Sequence, residues 1–254
     1  VPEHLFVPLW GWLDMFLRPQ ADLVTKLGIE FRLPLADTTI STKHHMDAIR
    51  RLRQIAHEDR GFMLDLVEHM LENYCEAWGY FAEAPDMLEG TLTLANSAYK
   101  VREDRVGLEM RTTPEVQTQV QEVVNAATGS AGDHLANAWN EAYSRTPDPV
   151  KSYSESIKAV EVALAPHVSP QNAKQTLGTM IRDLKAKPSK WKFVLPDGGV
   201  EMVLTMMQVL WDGQTSRHGG LHDTRTETTD EAQAAVHVAA ALVQYGVSGS
   251  FALV

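Results

Sequence analysis

A chain of 254 residues is long enough for one large domain or two modest ones, each with a buried core. Hydrophobic residues at 44% and charged residues at 22% match an ordinary globular composition, and no apolar run is long enough to span a bilayer. A net charge of -10 argues against a generic nucleic-acid binder, and a lone cysteine excludes an internal disulfide and any cysteine-based zinc cluster.

The opening "LFVPLWGWLDMFL" is interrupted by Pro8, Gly11 and Asp14 and reads as a helix that docks on the rest of the protein. In "KHHMDAIRRLRQIA", Thr42 is a candidate cap, and Met46, Ile49, Leu52 and Ile55 share one helical face. Met63, Leu66, Val67, Met70, Leu71 and Tyr74 repeat at helical steps in the next segment. The two helices form an αα-hairpin joined near "HEDRG". Cys75 falls in this second pattern and reads as an inert core thiol, which fits a reducing, cytoplasmic home.

The period then changes. Tyr99 and Val101 alternate with polar residues, as do Val106, Leu108 and Met110, with "RED" between them. That predicts a β-hairpin, the only β element expected. From Pro114 onward the text is helical: Pro114 suits a first helical position, Asp133 is a possible cap, and Asp148 before Pro149 is a clean start. "VEMVLTMMQVLWDGQTS" follows a "PDGG" turn, "RHGGLHDTRTE" breaks that helix, and Thr228 or Thr229 caps the last one. The expectation is a mainly α protein of about eight helices. Residues 1–112 form an N-terminal helical region ending in the hairpin, and 113–254 form a helical bundle. Along the chain, the best domain boundary by composition lies near "RTPDP", residues 145–149.

Charge is uneven. Residues 1–150 carry 13 basic and 23 acidic residues, whereas 151–254 balance at 10 and 10. The second half therefore tolerates a polyanion better than the first.

"RHGGLH", Arg217 to His222, places two imidazoles and a guanidinium in one short break after an apolar helix. Gly219 and Gly220 remove side-chain bulk, so a large ligand can approach the backbone. Histidine exchanges protons near neutrality, and arginine stays charged and matches a phosphate with paired hydrogen bonds. RNA cleavage without metal needs a base for the 2′-OH, an acid for the leaving 5′-oxygen and a cation for the phosphate. Spacing alone is weak, because 13 Arg and 10 His give roughly 0.5 Arg-x4-His matches by chance. The similar "RLRQIAH", Arg51 to His57, sits in an unbroken amphipathic helix and reads as structural. For Arg217 and His218 the competing reading is a cationic helix end that stabilises the macrodipole.

Context raises the second match. "RHGGLH" resembles the Arg-polar-x-x-x-His signature of the HEPN superfamily of helical ribonucleases. "DPVKSYSESIKAVEVAL", "KQTLGTMIRDL", "LWDGQTSRHGG" and "EAQAAVHVAAALV" resemble, in that order, the C-terminal region of bacterial abortive-infection proteins of that superfamily. The resemblance covers 147–250. It implies a four- or five-helix bundle that homodimerises with the two signatures facing each other. It implies cleavage of RNA with neither metal nor cofactor, leaving a 2′,3′-cyclic phosphate and a 5′-OH. Arg217 and His222 would be the core pair and His218 the adjacent polar position. Glu161 in "KAVE" would orient Arg217 or His222, with a helix-surface or capping carboxylate as the alternative, and Lys158 would contact phosphate. Many members carry Asn or Asp after the Arg, so His218 leaves two imidazoles as candidates for the base. A defence or toxin-like role, with an antitoxin or defence-system partner, follows from the same resemblance. The rivals are a non-catalytic helical module that binds RNA, a nucleotide or a protein, and a regulatory partner of a separate enzyme.

The remaining polar residues read more plainly. His237, in "AAVHVAAALV", is a core or helix-interface histidine. His44, His45 and the neighbouring Lys43, Arg50, Arg51 and Arg53 form a solvated face, with RNA phosphate contact as the alternative. The histidines lack the spacing of metal ligands.

Overall fold

The chain divides into two units, Val1–Arg111 and Thr112–Val254. The computed structural model describes residues 1–35, 38, 40–75, 81–172, 175–195, 197–217 and 225–254, with Cys75 described in its backbone only. The protein is mainly α, with eleven α-helices and two short strand pairs among the described residues. The sequence expectation of about eight helices and one hairpin is thus corrected upward. Among the described residues no helix is long and apolar enough to cross a membrane.

The first unit contains α1 (Glu3–Leu17), α2 (Ala21–Glu30), α3 (Thr42–Glu58), α4 (Arg60–Met70), a π turn (Leu71–Cys75) and α5 (Ala84–Leu94). The antiparallel pair β1 (Tyr99–Val101) and β2 (Leu108–Met110) closes it, with Lys100 opposite Glu109. α1 is apolar on several faces because it packs against α2, α3, α4 and α5. Leu9, Leu13 and Phe16 are fully buried, and the Trp12 indole N–H donates to the Ala84 carbonyl at 2.8 Å. The α3–α4 hairpin turns on one residue. Asp59 ends α3 and caps α4, its carboxylate accepting from the Gly61 and Phe62 amides. Ser41 rather than Thr42 caps α3. His45, expected on a solvated face, is buried and hydrogen-bonded to the Arg18 carbonyl at 3.1 Å.

The second unit contains α6 (Pro114–Ala126), α7 (Ala131–Tyr143), α8 (Pro149–Val168), α9 (Leu177–Ala186), β3 (Trp191–Phe193), α10 (Gly199–Gly213), α11 (Thr229–Val247) and β4 (Phe251–Leu253). α8 is the central helix, flanked along its length by α7 and α11. Close approach to α7 depends on small residues: Ser152 and Ser156 are fully buried, and the Ser152 hydroxyl donates to the Ala138 carbonyl at 2.8 Å. Asp148 caps α8 through the Lys151 amide, with Pro149 in the first turn. Segment 145–148 therefore links α7 to α8 inside this unit, and the domain boundary expected there is corrected to Arg111/Thr112. α7 begins at Ala131, so Asp133 lies in its first turn and does not cap it. The β3–β4 pair, with Phe193 opposite Phe251, is the strand pair that sequence periodicity missed.

Candidate functional site

The site is built at the exit of α10. Val203, Met207 and Leu210 bury one face of this helix. A single 3-10 turn, Thr215–Arg217, follows it. Residues 225–227 lead into Thr228, the cap of α11. Thr228 and Glu231 form a reciprocal capping box there.

The two stems of this break are tied together. The Thr215 hydroxyl donates to the Arg225 carbonyl at 2.6 Å. The Glu227 carboxylate accepts the Ser216 amide at 2.9 Å and meets the Thr215 hydroxyl at 3.4 Å. Glu227 is only 4% exposed. Burial raises its pKa, but the amides of Ser216, Glu227 itself and Thr215, with the Ser216 hydroxyl, outweigh that and hold it below the ordinary carboxylate range. A 3-10 turn has unpaired amides at its start, and here a buried carboxylate accepts from them.

Arg217 sits at the end of that turn. Its guanidinium carbon lies 3.5 Å from the centre of the Trp211 ring, and Nη1 donates to the Trp211 carbonyl at 2.9 Å. The planar cation is thus held against an aromatic face one and a half turns back along the chain. On the other stem Arg225 pairs with Glu231 through two hydrogen bonds of 2.7 and 2.8 Å. That pair, with the Thr228 amide, pulls the Glu231 carboxyl down to about 2.

Tyr153 of α8 underlies the same region. Its hydroxyl lies so close to Gly213 that a Cβ there would sit 2.0 Å away, which explains the glycine in "WDGQ". Burial, and then the negative charges of Glu227, Glu231 and Asp212, push its pKa up to about 12.

Of the residues that the sequence singles out, Arg217 alone is described at this turn. His218, Gly219, Gly220 and His222 lie outside the described residues. Glu161, expected to orient Arg217 or His222, accepts the Leu177 amide at 2.6 Å, the first amide of α9, beside the Thr176 cap. Burial raises its pKa, only partly offset by that amide and by the charges of Lys158 and His134. Lys158, expected at a phosphate, donates to Glu155 at 2.7 Å. His134 bonds the other oxygen of Glu155 at 2.6 Å. These four residues form one polar cluster on α7 and α8. His237 is exposed and so not a core residue, but it stands at the α7–α11 interface, sharing a 2.8 Å hydrogen bond with the Tyr143 hydroxyl. Among the described residues no group of three or more His, Cys, Asp or Glu is placed to hold a metal ion.

Sequence reading missed Glu227, Trp211, Tyr153 and Arg225. Glu227 had one faint signal, an acidic residue just before a capping threonine in "TETTDE". The others are ordinary helix and loop residues whose roles depend on distant partners. Comparison with family models, with curated proteins and with solved structures finds no match to this chain.

Proposed function

We propose that the second unit is an endoribonuclease of HEPN type, which cleaves RNA by 2′-OH attack without a metal ion. The observation that supports this most directly is the fixed Arg217. A permanently charged planar cation stands at the base of a segment that contains His218 and His222, and both stems of that segment are pinned.

In the proposed chemistry one imidazole takes the 2′-OH proton as the 2′-oxygen attacks phosphorus. Arg217 stabilises the charge that develops on the non-bridging oxygens. A second imidazole gives its proton to the departing 5′-oxygen. A homodimer, with one signature from each copy, supplies both imidazoles. The biological setting proposed is phage defence or a toxin-like stress response in the cytoplasm, with an antitoxin or other defence-system partner.

One observation favours a second reading. The Arg217–Trp211 carbonyl bond also satisfies the end of α10, as a cation at a helix C-terminus does. The unit would then be a non-catalytic module that binds RNA or a protein. Incubation of RNA with the purified protein and EDTA separates the two. Cleavage that survives chelation and vanishes in both Arg217→Ala and His222→Ala supports the nuclease. Equal cleavage by wild type and variants points to a contaminant and sinks it.

A further inference from the structure

A cavity of about 240 Å³ lies between α8, α10 and α11, beside the pinned stems. Tyr153 lines it on one side, and Leu210, Ala235 and Val238 supply apolar walls. The Arg225–Glu231 pair also borders the cavity, and both side chains are substantially exposed there, at 56% and 39%. The cavity thus combines a mostly apolar interior with a charged, accessible margin.

One polar group lines it. Tyr153 is only 5% exposed, and among the described residues no hydrogen bond to its hydroxyl is found. A hydroxyl on the wall of an accessible cavity is free to pair with whatever enters it. Burial, and then the charges of Glu227, Glu231 and Asp212, raise the phenol pKa further, so it stays protonated at neutral pH and has a proton to donate to a carbonyl-type acceptor. Gly213 is required for this arrangement, since any side chain there would strike the hydroxyl.

We propose that this cavity is a nucleobase subsite, sized for a pyrimidine, in which the Tyr153 hydroxyl donates to a ring carbonyl while Leu210, Ala235 and Val238 cover the ring. The volume is below the usual range for whole-ligand pockets, so it admits one ring rather than a nucleotide chain. A nucleobase supplies flat apolar faces and a carbonyl at its edge, which is what an apolar slot with a single inward donor can hold. The Arg225 carbonyl accepts the Thr215 hydroxyl, two residues before Arg217 in the chain. The slot and the Arg217 cation are therefore built on one tied stem, as a base and its phosphate require. The role of the subsite in RNA cleavage rests on the ribonuclease reading above, while the base binding itself does not.

The test uses the full chain and two measurements. The first is equilibrium binding of uridine, cytidine, adenosine and guanosine, and of a uridine trinucleotide. The second is cleavage of single-stranded RNA substrates that differ only in base. Tyr153→Phe removes only the unpaired hydroxyl, and Ala234→Phe fills the slot from an exposed position. Pyrimidine nucleosides are expected to bind wild type and Arg217→Ala alike, and to bind Tyr153→Phe about tenfold more weakly. Ala234→Phe is expected to abolish binding. A trinucleotide that binds more tightly than uridine identifies RNA as the source of the base, whereas equal affinity identifies a free nucleoside. If Arg217→Ala cleaves RNA as wild type does while binding still depends on Tyr153, the nuclease reading fails and the subsite stands. Nucleosides that bind none of the proteins, or that bind all of them equally, overturn the subsite.

Discussion

The Glu227 carboxylate accepts the Ser216 amide at 2.9 Å, so the residue before the α11 cap holds the turn that ends in Arg217. This bond joins the two sides of the break in which the proposed catalytic residues lie. Replacing Glu227 by alanine leaves the turn amides without their acceptor in a buried place. The expected cost is about 1–3 kcal/mol of folding stability. RNA cleavage should fall with it, because Arg217 loses its footing. Glu227→Gln keeps a carbonyl oxygen and should keep most of the stability. Urea melts beside cleavage assays on the two variants check this, and equal melts for wild type and Glu227→Ala would dismiss the pinning role.

Arg217 tests geometry against charge. Lysine preserves the positive charge but not the flat group that lies 3.5 Å from the Trp211 ring centre. A cation–π contact contributes about 0.5–2 kcal/mol, so Arg217→Lys should slow cleavage by about 2- to 30-fold through lost positioning. Trp211→Leu should give a loss of similar size with Arg217 still present. Full activity in the lysine variant would mean that charge alone suffices.

How much of this was readable from sequence follows from the range of each interaction. The Asp148–Pro149 and Thr228 helix starts are local, since the capping side chain and its amide are three residues apart. They were legible, as was the turn from α3 into α4. The β3–β4 pair was not. Each strand has three residues, and their pairing depends on α10 and α11 folding back between them. The same limit applied to the site. "RHGGLH" could be singled out by residue type, but Glu227 and Tyr153 matter only through contacts with other elements. Glu161 shows how alternatives that sequence leaves level separate only through a contact. A site carboxylate and a helix-terminus carboxylate read alike in "KAVE", and its hydrogen bond goes to the first amide of α9.

Glu161 therefore carries a stability prediction. Glu161→Ala removes the acceptor of the first α9 amide while the Thr176 capping box remains, and should cost about 1 kcal/mol. Glu161→Gln retains an acceptor for the Leu177 amide and removes a buried negative charge. Since burial raises the Glu161 pKa, ionisation on going from acid to neutral pH works against the folded state. The glutamine variant should be at least as stable as wild type at pH 7. Chemical denaturation at pH 7 checks both, and a glutamine variant as unstable as the alanine variant would contradict the acceptor role.

Glu155 has the opposite sign. Burial raises its pKa, but hydrogen bonds from Lys158 and His134, followed by their charges, bring it below its ordinary 4.5. Its folded pKa is lower than its unfolded one, so its contribution is present above the unfolded value and is lost as pH falls through the folded one. Wild type should lose stability on acidification below about pH 4.5 more steeply than Glu155→Gln does. Melts between pH 3 and pH 7 read the difference in slope, and parallel curves would argue against this cluster as a stabilising element.

Gly213 and Tyr153 form a pair whose coupling can be measured. Alanine is a better helix former than glycine, so Gly213→Ala at the end of α10 would ordinarily stabilise. Here the added Cβ would lie 2.0 Å from the Tyr153 oxygen, and the overlap should cost about 1–3 kcal/mol. Tyr153→Phe removes that oxygen, and the next ring atom is 3.1 Å from the same Cβ. The double variant should therefore recover most of the loss, giving a favourable coupling of about 1 kcal/mol or more in a double-mutant cycle. The single Tyr153→Phe change should cost little by itself, because its hydroxyl has no hydrogen-bond partner among the described residues to lose. Additive effects in the cycle would show that the two residues do not touch, and would remove the constraint that keeps the Tyr153 hydroxyl at the cavity.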